Sequence, residues 1–383
     1  MNIGIISEFF PKSEKLEVRG GAEARAFYIA KNLARNNKVT IITSREYDME
    51  REDEILGIKV FRVGKSRKYS QAGSLVERIT FIKEAIKLGR RLDLDIIEGT
   101  NFLSYPVAWK VGEYLNIPKV MTYHDVWLGR WMKNIGISGI LGEVLERYAL
   151  SRKWDLIIAN SNYTKENLKR AGLNSNNILT IYNGVELAEY QDIEVKKFEE
   201  PTICTISRLV KYKKVNDLIK AIYLIKEEIP GVKLKIIGTG PEEANLRKLA
   251  SKLALEKNID FEGFLESHQE VIRILKASHI FALSSIVEGF GMAVIEAMAA
   301  GIPYVASDIP PIREATNNGI GGLLFEPENC EDLALKIKTL LRDKLLQTHL
   351  IEEGNKYIKN YDWSKISQEV ENWYIKLIRE LPK

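Results

Sequence analysis

Cysteine is nearly absent from this chain, which has two: Cys204 and Cys330. Two thiols build neither a disulfide framework nor a four-thiolate zinc site, and they point to a reducing compartment. Cys204 sits in an apolar, strand-like run and reads as a small core residue. Histidine is scarce as well, with four in 383 residues. No run approaches the roughly 18 consecutive apolar residues that a membrane span needs. The start, Met-Asn-Ile-Gly-Ile-Ile-Ser-Glu, reads as a strand and a loop. It lacks the basic flank and apolar run of a signal peptide, so a cytoplasmic protein is expected. No low-complexity segment occurs, and no nucleic-acid recognition motif accompanies the basic residues, so nucleic acid is not an expected partner.

What is present is ordinary for a globular chain: 45% hydrophobic and 28% charged residues. At roughly 150 residues per domain the length allows two or three domains. The net charge is +4 but unevenly placed. From Lys59 to Arg91 there are ten Lys/Arg against two Glu, a local +8. One reading is a solvated helix face. The other is a surface for an anionic partner such as phospholipid head groups, a peripheral contact with the inner face of the membrane.

Short apolar runs alternate with amphipathic helical patterns. Strand runs at 2–6, 39–43, 58–63, 95–98, 119–122, 156–159 and 178–181 are separated by helical patterns such as 22–34, 75–91 and 139–150. In the second of these helices Leu75, Ile79, Ile82, Ile86 and Gly89 share one face and basic residues take the other. A polar segment, 192–200, ends at Pro201 and reads as a linker. The alternation then restarts, with strand runs at 202–206, 234–237, 259–261, 280–283, 304–306 and 322–325. Helices fit at 215–228, 242–255, 270–277 and 330–345, and the tail 363–381 has helical periodicity. This predicts an α/β protein of two Rossmann-like doubly wound domains facing across a cleft, 1–198 and 199–362. In such sheets ligands sit beyond the carboxyl ends of the strands, so the loops leaving those ends hold the candidate chemistry.

The richest loop is Glu288-Gly289-Phe290-Gly291-Met292-Ala293-Val294-Ile295-Glu296. Glycines opening a helix uncover backbone N–H groups fit for a phosphate. A carboxylate on each side accepts hydrogen bonds from hydroxyls. The pattern calls for a ligand with phosphate and sugar parts; the plainer reading is a glycine turn with Glu288 capping and Glu296 exposed. Arg208 and Lys213, beside Lys211 and Lys214, follow directly on a strand and would neutralise a diphosphate. Gly20-Gly21 opens a helix after the first strand, His124 follows a middle strand, and Gly263-Phe264 offers backbone to a flat base. Each of these alone is as consistent with a simple turn. Asp93-Leu94-Asp95 has the letters of a metal-binding Asp-x-Asp but leads into an apolar strand, so it reads as structural and no metal site is expected.

Taken together, these residues resemble the retaining glycosyltransferases of family four, which have the GT-B fold. The matching residues are Gly20-Gly21, His124, Arg208 with Lys213, Glu288 with Glu296, Asn183-Gly184-Val185, Gly238-Thr239-Gly240-Pro241 and the string from Glu296 to Pro303. The resemblance covers essentially the whole chain. It implies a nucleotide-sugar donor, such as a UDP- or GDP-hexose, on the second domain and a sugar or glycolipid acceptor on the first. It gives Arg208 and Lys213 to the diphosphate, Glu296 to the ribose, Glu288 to the sugar hydroxyls and His124 to the sugar near the reacting carbon. It gives the backbone of Gly289, Phe290, Gly291, Met292 and Ala293 to sugar and phosphate, and the Gly20-Gly21 loop to the phosphates. It also implies a last helix, 363–383, that packs back on the first domain, and a chemistry without metal or other cofactor. Three departures stand out: Ser207 and Lys214 replace common glycines, which leaves the choice among Lys211, Lys213 and Lys214 to register, and Pro310-Pro311 replaces a glycine pair. A nucleotide-sugar 2-epimerase and a non-catalytic nucleotide-sugar-binding protein are the alternative readings.

Overall fold

The computed structural model describes residues 1–13, 20–67, 75–132, 136, 139–173 and 175–380. The chain forms two compact units. The first comprises Met1–Asn183 and the segment from Trp363 onward. Its elements are β1 (Asn2–Ile6), α1 (Gly21–Leu33), β2 (Lys38–Glu46), β3 (Glu52–Ile55), β4 (Ile58–Arg67), α2 (Leu75–Gly89) and β5 (Ile96–Gly99). Then come α3 (Ser104–Leu115), β6 (Lys119–Tyr123), α4 (Gly139–Leu150), β7 (Leu156–Ala159), α5 (Asn162–Arg170) and β8 (Ile178–Thr180). The sheet order is β3-β4-β2-β1-β5-β6-β7-β8. All neighbours are parallel except β3 and β4. Ile- and Val-rich strands buried on both faces explain this: Ile3 pairs with Val39 on one side and Ile96 on the other.

Strand β3 is absent from the sequence reading. It is Glu-Asp-Glu-Ile, an edge strand whose charges discourage further pairing. It joins β4 through Leu56-Gly57, both at positive φ (53° and 76°), the two-residue hairpin turn that matches strand twist. The face assignment of α2 needs correction. Phe81, Ala85 and Gly89 are its buried residues, whereas Leu75 and Ile79 are exposed. The basic segment divides too: Arg62 and Arg67 are buried in β4, paired with Asp53 at 3.2 Å and Glu8 at 2.8 Å, and residues 68–74 lie outside the described residues.

The terminal helix, Trp363–Glu380, packs on this unit. Trp363 stacks on Tyr28 with centroids 5.5 Å apart, and Ile366, Val370 and Tyr374 join the core around β1 and α1. The Tyr374 hydroxyl donates to the buried Glu98 carboxylate in β5, which also accepts from Thr122 Oγ1.

The second unit is Gly184–Asp362. Its elements are α6 (Leu187–Gln191), β9 (Thr202–Ile206), α7 (Val215–Lys226), β10 (Lys233–Ile237), α8 (Glu243–Lys252), β11 (Ile259–Gly263) and α9 (His268–Ala277). They continue with β12 (Ile280–Leu283), α10 (Met292–Ala299), β13 (Tyr304–Ser307), α11 (Pro310–Ala315), β14 (Gly322–Phe325), α12 (Cys330–Arg342) and α13 (Lys344–Tyr357). The sheet is parallel throughout, in the order β11-β10-β9-β12-β13-β14. Cys204 is fully buried in β9, where burial pushes its thiol up to about 12, as befits a core residue. Pro310 and Pro311 occupy the first turn of α11, where a missing N–H costs nothing.

The boundary falls at Asn183/Gly184 rather than at 198/199. Residues 192–200 read as a linker by composition, but the segment 184–198 is hydrogen-bonded into the second unit. Val185 N donates to Tyr361 O (2.8 Å), Phe198 N to Ala277 O (2.9 Å), and Lys276 Nζ to Tyr190 O (2.7 Å). Among the described residues no helix is long and apolar enough to cross a membrane.

Replacing Tyr374 by Phe removes a donor from a buried carboxylate. The expected loss is about 1–3 kcal/mol of stability, read as a lower urea midpoint at unchanged slope.

Candidate functional site

In each sheet the strand order reverses beside one strand: β1 lies between β2 and β5, and β9 between β10 and β12. Loops leaving the carboxyl ends of such neighbours diverge and open a crevice. In the second unit the β9 and β12 exit loops contain the arginine–lysine and two-glutamate motifs.

The β9 exit loop is held from one side by the glycine turn after β10. Ser207 N donates to Ile237 O at 3.0 Å and Leu209 N to Thr239 O at 2.9 Å. A Cβ on Gly238, whose φ is +128°, would stand 2.0 Å from Ser207 O, so a side chain is excluded there. The β12 exit loop holds the other side: Ile286 N donates to Tyr212 O (2.9 Å) and Ser284 Oγ to Lys213 O (2.9 Å). These bonds deliver Lys213 Nζ to within 2.6 Å of Glu288 Oε1, with both side chains largely buried. Arg208 Nη2 donates to the Tyr212 hydroxyl at 2.7 Å. Of the three lysines left open by register, Lys213 is the one that meets Glu288. Lys214 sits at a positive φ of 51° and pairs with Glu328 instead.

Gly291 caps α10 at φ +96°, and a Cβ there would lie 2.4 Å from Ile312 Cδ1. No side chain caps this helix. Glu288 is therefore not its cap, and the N–H groups of the first turn, at Met292 and Ala293, have no capping side chain. Phe290 is a core side chain, 5.6 Å from the Tyr361 ring, and has only backbone to offer. Glu296 is half-buried, not exposed, and burial raises its carboxyl above the usual range while His268 pulls it back. At the end of β11, Gly263 has open space where a Cβ would be, and Phe264 is exposed.

In the first unit Gly20 precedes α1 in an extended conformation, and no side chain caps that helix. Beyond β6, His124 Nε2 lies 3.1 Å from Thr100 O, the residue that follows β5. A carbonyl accepts only, so Nε2 carries the proton and Nδ1 carries a lone pair. Burial, with the Arg25 charge, lowers the His124 pKa to about 3. The imidazole is thus a neutral hydrogen-bond acceptor at pH 7. Arg25 is itself buried, and Nη1 donates to Ile181 O, Tyr182 O and Asn183 Oδ1 at 3.1, 2.7 and 3.0 Å. The Asp-x-Asp pair lies at the opposite, amino end of β5, where Asn2 side chain and backbone donate to Asp93 and Asp95.

The family model Glycosyltransferase Family 4 matches residues 19–189, and Glycosyl transferases group 1 matches residues 188–357. This chain is a family-four glycosyltransferase. The glycosyltransferase is 23% identical to an uncharacterized glycosyltransferase of Methanocaldococcus jannaschii over 98% of each chain. Its fold is GT-B, shared with sucrose-phosphate synthase of Thermosynechococcus elongatus at a TM-score of 0.82, 19% identity and 99% coverage of both chains. The Anabaena protein HepE, solved with UDP and glucose, aligns at a TM-score of 0.76 and 20% identity, over 98% of this chain and 100% of that one.

Three residues of this glycosyltransferase escaped the sequence reading. His268 opens α9 just past Phe264, with Nε2 3.7 Å from Glu189 Oε2. Arg25 underlies His124 electrostatically, and Asp125 beside it is raised to about 6 by burial. His268 had a signal in the scarcity of histidine; Arg25 and Asp125 look like ordinary surface charges until their burial is seen.

The depressed His124 pKa gives a signed prediction. The neutral ring favours folding above its unfolded pKa of about 6.5, and that contribution is lost as pH falls from there toward 3. His124→Gln is expected to flatten the decline of melting temperature between pH 7 and pH 4, measured by calorimetry.

Proposed function

We propose that this glycosyltransferase moves a hexose from a UDP- or GDP-hexose to an acceptor hydroxyl with retention at the anomeric carbon, and without metal. The observation that carries the reading is the Lys213–Glu288 pair, set between diverging exit loops beside the uncapped start of α10. Breaking the sugar–phosphate bond develops negative charge on the diphosphate. Preorganised cations aimed at that charge lower the barrier. Arg208 and Lys213 supply them, and the first-turn N–H groups of α10 add a helix terminus. Lys213 has three N–H donors, so its bond to Glu288 leaves two for phosphate oxygens.

Glu288, held by Lys213, receives hydroxyl hydrogens of the donor sugar, and Glu296 receives those of the ribose. The raised pKa of Glu296 fits a carboxylate that awaits hydrogen-bond donors. Gly263 and Phe264 present backbone to the base. His124 accepts a substrate hydroxyl at Nδ1, and the uncapped helix behind Gly20-Gly21 offers N–H groups to an anion. The likeness to a protein solved with UDP-glucose favours a uridine donor. Retention follows most simply from attack on the face the leaving diphosphate vacates, with no covalent intermediate.

Incubation with a panel of UDP- and GDP-hexoses, following free nucleotide with and without sugar or glycolipid acceptors, tests the reading. Acceptor-dependent nucleotide release is the expected result. Conversion of donor without acceptor would indicate an epimerase, and binding without release a non-catalytic protein. Lys213→Ala and Glu288→Gln are each expected to lower kcat about 100-fold or more while the circular dichroism spectrum of the folded protein is retained. Near-normal turnover in either variant overturns the assignment. EDTA is expected to leave the rate unchanged.

A further inference from the structure

Helices α2, α3 and α4 form one layer on one face of the first sheet. Phe81 and Ala85 of α2, Val107 and Val111 of α3 and Ala149 of α4 share a core with Ile97, Met121 and Ile157 of the strands. Each helix follows the carboxyl end of a strand, so all three begin along the same rim of the unit. A helix that faces solvent should present polar side chains there. Two of these helix starts do the opposite. On α2, Leu75, Val76 and Ile79 are 53, 59 and 40% exposed. At and just before α4, Ile140, Val144 and Met132 are 49, 57 and 59% exposed. Large aliphatic side chains exposed at a helix start mark an interaction surface.

Charge identifies the partner. The outward stripe of α2 begins at Val76 and Ile79 and continues, at helical spacing, through Lys83, Lys87 and Arg90, with Arg91 next to it, all exposed. Arg90 lies over the exposed Tyr114 ring of α3 at 4.7 Å. The acidic residues only partly offset this stripe: from Leu75 to Arg91 five Lys/Arg stand against Glu77 and Glu84, of which Glu84 is exposed. Glu77 is half-buried, Glu84 accepts from Gly64 N at 2.9 Å, Glu143 pairs with Arg147 at 2.7 Å, and Glu146 is buried. Arg62 and Arg67, which swell the charge of the sequence segment, take no part because they are inside. An apolar tip with a basic flank is the pattern of a helix that sits in a lipid interface, aliphatic groups among acyl chains and ammonium or guanidinium groups at phosphates.

We propose that this rim docks the protein on an anionic lipid surface, with Leu75, Val76 and Ile79 entering the interface and Lys83, Lys87 and Arg90 meeting head-group phosphates. The docking is independent of which donor and acceptor the enzyme uses.

Sedimentation of the full chain with vesicles tests it. The wild type is expected to pellet with equimolar phosphatidylglycerol and phosphatidylcholine at low salt. Partition is expected to fall about tenfold on pure phosphatidylcholine or in high salt. The variants Leu75→Ser/Val76→Ser/Ile79→Ser and Lys83→Glu/Lys87→Glu are each expected to lose binding by about tenfold, with unchanged circular dichroism and melting temperature. A wild type that stays in the supernatant overturns the proposal, as does either variant pelleting like the wild type. A concentration-dependent dimer by light scattering that the triple variant dissolves, without vesicle binding, assigns the face to a second copy and also overturns it.

Discussion

Beside β9 the chain leaves the sheet in two directions, because β10 lies on one side and β12 on the other. Two exit loops part there, and nothing in a parallel sheet joins them again. The 2.6 Å pair between Lys213 and Glu288 does so, backed by the Ser284 and Ile286 hydrogen bonds to the Lys213 and Tyr212 carbonyls. A largely buried ion pair is seldom a net gain in stability, because desolvation offsets attraction. Its value here is positional. It fixes a cation and a carboxylate at a place where backbone N–H groups of α10 are already unsatisfied.

The first unit is organised by buried charge of another kind. Arg25 satisfies three acceptors near the end of the unit, and its charge, with burial, keeps His124 neutral. Glu98 balances that charge and accepts from Thr122 and from Tyr374 of the terminal helix. A helix contributed by the chain's last segment therefore reaches the polar interior beneath the strand ends. Removing any one partner leaves a buried charge or donor uncompensated.

Much of this was legible beforehand. Runs such as Ile3-Gly4-Ile5-Ile6 and Ile203-Cys204-Thr205-Ile206 are unambiguous core strands because both sheet faces are covered. The glycine-opened helix at Gly291 announced itself because no larger residue fits against Ile312. Other features were hidden for stated reasons. β3 is charged because it is an edge, so its composition resembles a loop. The α2 pattern pointed to the face of Leu75, Ile79, Ile82 and Ile86, but packing on α3 and β4 buried the one with Phe81 and Ala85. The segment 192–200 is polar in sequence, yet Phe198 within it is hydrogen-bonded to Ala277 of the second unit.

The sequence by itself determined the two α/β units, the loops that hold the candidate residues, and the family, since periodicity and glycine spacing are local properties. Tertiary structure decided which lysine meets Glu288, the charge state and tautomer of His124, and which basic and apolar side chains remain outside. Those depend on burial and on partners distant in the chain. Lys213 and Glu288 stand 75 positions apart, Glu98 and Tyr374 276. No local pattern encodes such distances; packing does.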